Sequence, residues 1–144
     1  MRFYLGMNFN GGGIEIAKKL IPMLEELTGD QCTSRWVWSE AHKSQEFRLT
    51  IAITDLVDIS RADYVLLAPL TETSRGAHVE QGFAFGQDKP VYLYRPKEIN
   101  GTGFDSLCKP WKDEWIQALE EILGESKYPV DEKPIGWVGT EGSP

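Results

Sequence analysis

The chain is short of the residues on which several kinds of protein depend. Its 144 residues include two cysteines, Cys32 and Cys108, and two histidines, His42 and His78. Two thiols are too few for a disulfide framework, and neither has a neighbour at metal-ligand spacing, so both read as reduced cysteines of a cytoplasmic protein. Positive charge is scarce as well: 15 Lys and Arg stand against 22 Asp and Glu, a net charge of −7. That balance excludes broad binding to nucleic acid or to an anionic membrane, both of which need a basic field, while local donors can still hold a small anionic ligand. No apolar run approaches the roughly 18 residues of a membrane span. The amino terminus enters a strand-like segment at Arg2-Phe3-Tyr4-Leu5 without the pattern of a cleavable signal. Gly11-Gly12-Gly13 lacks the spacing of a dinucleotide fingerprint and the Lys of a phosphate-loop ATPase. No metal and no organic cofactor is implied.

What is present is one domain's worth of alternating patterns. Apolar residues make up 41% of the chain, enough for a core. Residues 3–9 read as a first strand that ends in the glycine turn. A helix follows over 14–27, with Ala17, Leu20, Ile21, Leu24 and Leu27 on one face and Pro22 in mild conflict. Residues 31–38 read as a second strand, and 41–60 as a long polar helix turning Phe47, Ile51, Ile53, Leu56 and Ile59 inward. The continuous apolar run Tyr64-Val65-Leu66-Leu67-Ala68 is the mark of a strand covered on both faces. A helix over 76–86, a strand over 90–94 and an amphipathic helix over 115–123 complete the pattern. The expected fold is therefore α/β: a three-layer, doubly wound, flavodoxin- or Rossmann-like domain with a four- or five-stranded parallel sheet. The catalytic domain is expected over 1–124, with 125–144 an irregular carboxyl-terminal arm of it. The first and third strands should form the central pair, with the ligand beyond their carboxyl ends.

Three stretches carry the chemistry: Thr54-Asp55-Leu56-Val57-Asp58-Ile59, Ala62-Asp63-Tyr64-Val65, and Ser74-Arg75-Gly76-Ala77-His78-Val79-Glu80-Gln81-Gly82. Together with the opening Phe3-Tyr4-Leu5-Gly6, their order and spacing resemble the nucleoside 2-deoxyribosyltransferase family. The closest pattern is that of the 2'-deoxynucleoside 5'-monophosphate N-hydrolase branch. There too a Tyr-initiated strand ends in a double glycine, as at Gly11-Gly12, and a Ser stands six residues before the Glu, as Ser74 does. The resemblance covers roughly 2–96. It implies a nucleophilic Glu80, an Asp55 that protonates or hydrogen-bonds the leaving base, and a Tyr4 that holds Glu80. It also places Gly6, Asn8, Asn10, Gly11, Arg35, Trp36, Ser74, Arg75 and Gly76 around the substrate, a nucleoside or nucleotide. The sequence departs from the hydrolase branch at Asn8 and Asn10, where that branch carries Ser and Arg for phosphate.

The physical chemistry fits this reading independently. Breaking an N-glycosidic bond builds oxocarbenium character, which a carboxylate attacks or stabilises. Glu80 near the start of a helix is expected to stay ionised through the helix dipole. Ser74 and Arg75 precede the same helix, where free N–H groups suit a 5'-phosphate. The expected activity is N-glycosidic cleavage through a glycosyl–Glu80 intermediate, with hydrolysis favoured. The alternatives are transfer of the 2-deoxyribosyl group to another base and a non-catalytic nucleotide-sensing domain. A homodimer or larger homo-oligomer is expected, with the loop over 100–106 and the helix of Ala77, Gly82, Ala84 and Gly86 at the interface.

Overall fold

Strands and helices alternate from Arg2 to Leu93, and a 3-10 turn then leads into a last short strand and a closing helix. The computed structural model describes residues 1–7, 12–38, 45–70, 75–94 and 103–125, with the backbone alone at 45–47, 75, 103 and 125. Its elements are β1 (Arg2–Met7), α1 (Gly13–Thr28), β2 (Gln31–Cys32), α2 (Gln45–Arg61), β3 (Tyr64–Ala68), α3 (Arg75–Gly86), β4 (Val91–Leu93), β5 (Lys109–Pro110) and α4 (Asp113–Glu125). Short 3-10 turns occupy Trp36–Trp38 and Gly103–Leu107. The sheet runs in the order β2-β1-β3-β4-β5 and every pairing is parallel. This is the doubly wound α/β fold with five strands. The order reverses between β1 and β3, the point at which doubly wound folds bind ligands.

The pleat gives the sheet two unlike faces. Phe3 and Tyr64 pair across β1 and β3 and stack at 5.9 Å between ring centroids. Tyr92 meets Tyr64 edge-on at 6.0 Å and Trp115 of α4 at 5.2 Å. This aromatic layer lies under α1 and α4, which pack on each other. The opposite face carries Tyr4, Gly6, Val65, Leu67, Val91 and Leu93 by the strand register, and α2 and α3 cover it. Both central strands are buried throughout their middles, as the apolar run in β3 requires.

Helix α1 buries Ile16, Ala17, Leu20, Ile21 and Leu24 and closes on Gly29, whose positive φ of 73° lets its N–H reach the Glu25 carbonyl at 2.9 Å. Pro22 stands on its exposed side, where the missing N–H meets water rather than core. Leu27, expected inside, is exposed because the helix turns it away at its last turn.

Three expectations change. The second strand stops at Cys32 instead of Trp38 because side chains take over its pairing: the Ser34 hydroxyl accepts from the Leu5 N–H and donates to the Leu5 carbonyl, both at 2.8 Å. In α2 the buried residues include Ile51, Asp55, Asp58 and Ile59, while Ile53 is 55% exposed; two acids that the periodic reading left off the inward face are buried in it. The edge strand Lys109–Pro110 was not expected at all. The start of α2 over 41–44, His42, and the arm beyond Glu125 lie outside the described residues.

Candidate active site

Strand β1 presents Tyr4 and Gly6 on the same face, two residues apart. Helix α3 brings Glu80 onto them, and α2 brings Asp55 from the side. Glu80 is half-buried and its Oε2 is wholly enclosed without a hydrogen-bond partner. A Cβ built on Gly6 would lie 2.7 Å from that Oε2, 2.8 Å from Leu67 Cδ2 and 3.2 Å from Tyr4 Cε1. The carboxylate therefore rests directly on the backbone of β1, in a notch that exists only because residue 6 has no side chain. Gly76, at the start of α3, is looser: its Cβ would stand 3.9 Å from Glu80 Oε1.

Tyr4, Glu80 and Asp55 form one electrostatic unit. Burial pushes Glu80 up to about 7, against the pull of a hydrogen bond from the Tyr4 hydroxyl. Burial also raises Asp55 to about 8, helped by the charges of Glu80 and Asp58 and opposed by a hydrogen bond with Tyr4. Tyr4 itself, 1% exposed, is held well above the usual phenol range by burial and by the two carboxylates. Asp55 Oδ1 is a second enclosed oxygen with no partner. A dipole-stabilised, low-pKa Glu80 was expected, and the structure reverses the sign. Glu80 is the sixth residue of α3, beyond the first turn in which the dipole acts, so desolvation wins.

At neutral pH this arrangement offers a carboxylate poised near its midpoint and a carboxylic acid that still holds its proton. A nucleophile beside an acid is the pairing that substitution at an anomeric carbon needs.

The remaining expected residues divide. Arg35 is present at the same rim, held by Asp58: its N–H donates to Oδ2 at 2.9 Å and its Nε to Oδ1 at 2.8 Å. Its side chain stays 54% exposed while Asp58 is buried. Trp36 is a core residue, 2% exposed, and its indole N–H donates to the Leu5 carbonyl at 2.7 Å. Packed this way its ring has no open face for a base. Asn8, Asn10, Gly11 and Ser74 lie outside the described residues, as does the side chain of Arg75, whose backbone opens α3.

Sequence reasoning passed over Asp58, although its spacing of three from Asp55 places both acids on one face of α2. It also passed over a buried polar knot behind Glu80. The Gln81 amide donates to Phe104 O at 3.3 Å, to Asp105 Oδ1 at 3.2 Å and to Cys108 Sγ at 3.2 Å. The signal available was the amide of Gln81 between Glu80 and Gly82. Among the described residues no group of three or more His, Cys, Asp or Glu is placed to hold a metal ion, and no helix is long and apolar enough to cross a membrane.

No family model and no curated protein matches the chain. Among solved structures it is similar to one reported for the 2-deoxyribosyltransferase of the psychrotolerant bacterium Bacillus psychrosaccharolyticus. The two share a TM-score of 0.62 and 21% identity, over 93% of this chain and 98% of the other. A likeness at that identity is one of fold, and it extends over nearly the whole of both chains.

Proposed function

We propose that the protein cleaves the N-glycosidic bond of a nucleoside or nucleotide, with Glu80 as nucleophile and Asp55 as acid. The observation that carries this reading is the convergence of Tyr4, Asp55 and Glu80 on the Gly6 notch, at the crevice where doubly wound folds bind ligands. Glu80 attacks the anomeric carbon as the carbon–nitrogen bond breaks. The bonding electrons pass to the base, which takes the Asp55 proton and leaves a glycosyl ester on Glu80. Water then attacks the same carbon, ionised Asp55 takes its proton, and the Glu80 carboxylate is released. Tyr4 holds both carboxyls in register through its hydroxyl. Ser74 and Arg75 are assigned to a 5'-phosphate, and Arg35 to the base or phosphate.

A second reading, in which another base replaces water as acceptor, is favoured by the likeness of fold to a deoxyribosyltransferase. The working form is proposed to be a homodimer. Leu49, Ile53 and Val57 make an exposed apolar stripe on α2, and Val79 is exposed on the neighbouring α3. The location is proposed to be cytoplasmic.

The test is chromatographic release of free base from the common nucleosides and their 5'-monophosphates, with and without a second base as acceptor. Glu80→Gln should lower turnover at least about a hundredfold while the fold survives. A 2-fluoro-arabinosyl analogue should add its mass to the Glu80 peptide. A folded Glu80→Gln protein with wild-type turnover sinks the reading.

A further inference from the structure

We infer that Gln81 is a positioning residue: its amide locks α3 against the Gly103–Leu107 turn and thereby holds the Glu80 carboxylate in the Gly6 notch. The inference rests on the reading of Glu80 as the nucleophile. Its ground is the geometry of α3, which is gripped on two sides. Towards β1 and α2 the helix presses Glu80 onto Gly6 and Tyr4. One residue on, Gln81 is 4% exposed and shares its two amide hydrogens among Phe104 O, Asp105 Oδ1 and Cys108 Sγ. Asp105 is itself buried, so this is an interior anchor rather than a surface contact.

The helix needs such an anchor because it is weak by composition. Three of its twelve residues are glycine, and Gly82 and Gly86 have open space where a Cβ would stand, so packing does not require them. Keeping a carboxylate under cover works against the helix as well, since moving Glu80 outward would restore its solvation. Of the groups that face Glu80, Tyr4 alone gives it a hydrogen bond. These groups are Tyr4 on β1 and Asp55 on α2, with Asp58 one turn further along; β3 and β4 turn only Val65, Leu67, Val91 and Leu93 towards it among the described residues. Tyr4 gives one hydrogen bond, and burial of the carboxylate works against it. The fixed point that offsets this cost is the knot formed by Gln81, to which Asp105 contributes an acceptor.

Gln81→Leu keeps the volume and removes the donors. Two readouts follow. In full-length protein carrying 13C-labelled Glu carboxyls, with the Glu80 signal identified by its loss in Glu80→Gln, the Glu80 titration midpoint should fall towards the ordinary carboxylate range as the side chain relaxes into water. In turnover, kcat should drop about tenfold or more while KM stays within about twofold, because ground-state contacts to substrate are untouched. A folded Gln81→Leu protein with both the Glu80 titration and kcat unchanged overturns the inference. So does a loss of kcat that merely tracks the unfolded fraction while the titration stays put. Should Gln81→Leu fail to fold, Gln81→Asn withdraws the amide by one methylene and is read the same way. If the wild-type protein releases no base, the glycosidic reading fails, and the titration still decides the role of Gln81.

Discussion

Gly6→Ala separates the stability of the fold from the integrity of its site. The added methyl would lie 2.7 Å from Glu80 Oε2 and 2.8 Å from Leu67 Cδ2. Non-bonded atoms settle at about 3.5 Å or more, so the carboxylate has to retreat by roughly 0.8 Å. Both clashing atoms are the ends of flexible side chains, which puts the overpacking penalty near the lower end of the usual range, about 1 kcal/mol. Replacing glycine in a strand interior returns roughly 0.5–1 kcal/mol through the unfolded chain, so the two effects nearly cancel. The melting temperature should therefore move by only a few degrees. Catalysis has no such compensation. A displacement near 1 Å at the reacting group costs on the order of a hundredfold in rate. The assay is base release at saturating substrate, beside a thermal melt of the same preparation. A Gly6→Ala protein that melts like the wild type and turns over like it would show that Glu80 does not work from this notch.

Four further outcomes follow. With Glu80 pushed up to about 7 and Asp55 to about 8, the pH profile of kcat/KM should be a narrow bell between those two values, which belong to the pair rather than to either group. Both folded-state values exceed the roughly 4 of an exposed carboxyl, so the native state binds more protons than the unfolded one across that window and stability falls as pH rises through it. Asp55→Asn should accordingly melt higher than the wild type at pH 8, with the gain shrinking as pH falls and vanishing below about pH 4, by calorimetry. Asp58→Ala removes both hydrogen bonds that Arg35 donates to Asp58 and should lower stability by about 2 kcal/mol in urea titrations. Ile53→Asp, on the exposed stripe of α2, should convert a homodimer into monomers by sedimentation without unfolding the chain.

The architecture was legible wherever hydrophobic periodicity decides structure. The run 64–68 became β3 with those bounds, α1 and α3 appeared within a residue or two of their expected ends, and β1 lies beside β3. Periodicity failed where side chains replace backbone, as Ser34 does beside Leu5. It failed again where chemistry claims a buried place. Asp55 and Asp58 sit in the inward stripe of α2, and Ile53 is displaced to the surface. Strand β5 is two residues long, one of them proline, and carries no pattern to read. Glu80, Asp55 and Tyr4 were singled out by a family resemblance, and the structure places the three side chains together. The notch at Gly6 was not, because the need for an absent side chain is visible only once Glu80 is placed against it. The sign of the Glu80 shift was hidden for the same reason: it depends on burial, which no local motif records.

The two faces of the sheet divide labour in a way that bears on how such a protein changes over time. The stacked rings of Phe3, Tyr64, Tyr92 and Trp115 lie on the face away from the carboxyls. That layer supplies cohesion through large buried area. Substitutions that reshape the crevice on the α2 and α3 side act on a different set of neighbours, so their effects on stability add to those of the aromatic side rather than multiplying through it. A chain built like this tolerates change on one side while the other keeps it above its folding threshold. The aromatic layer is, in that sense, the reserve on which variation of the face that carries the carboxyls can draw.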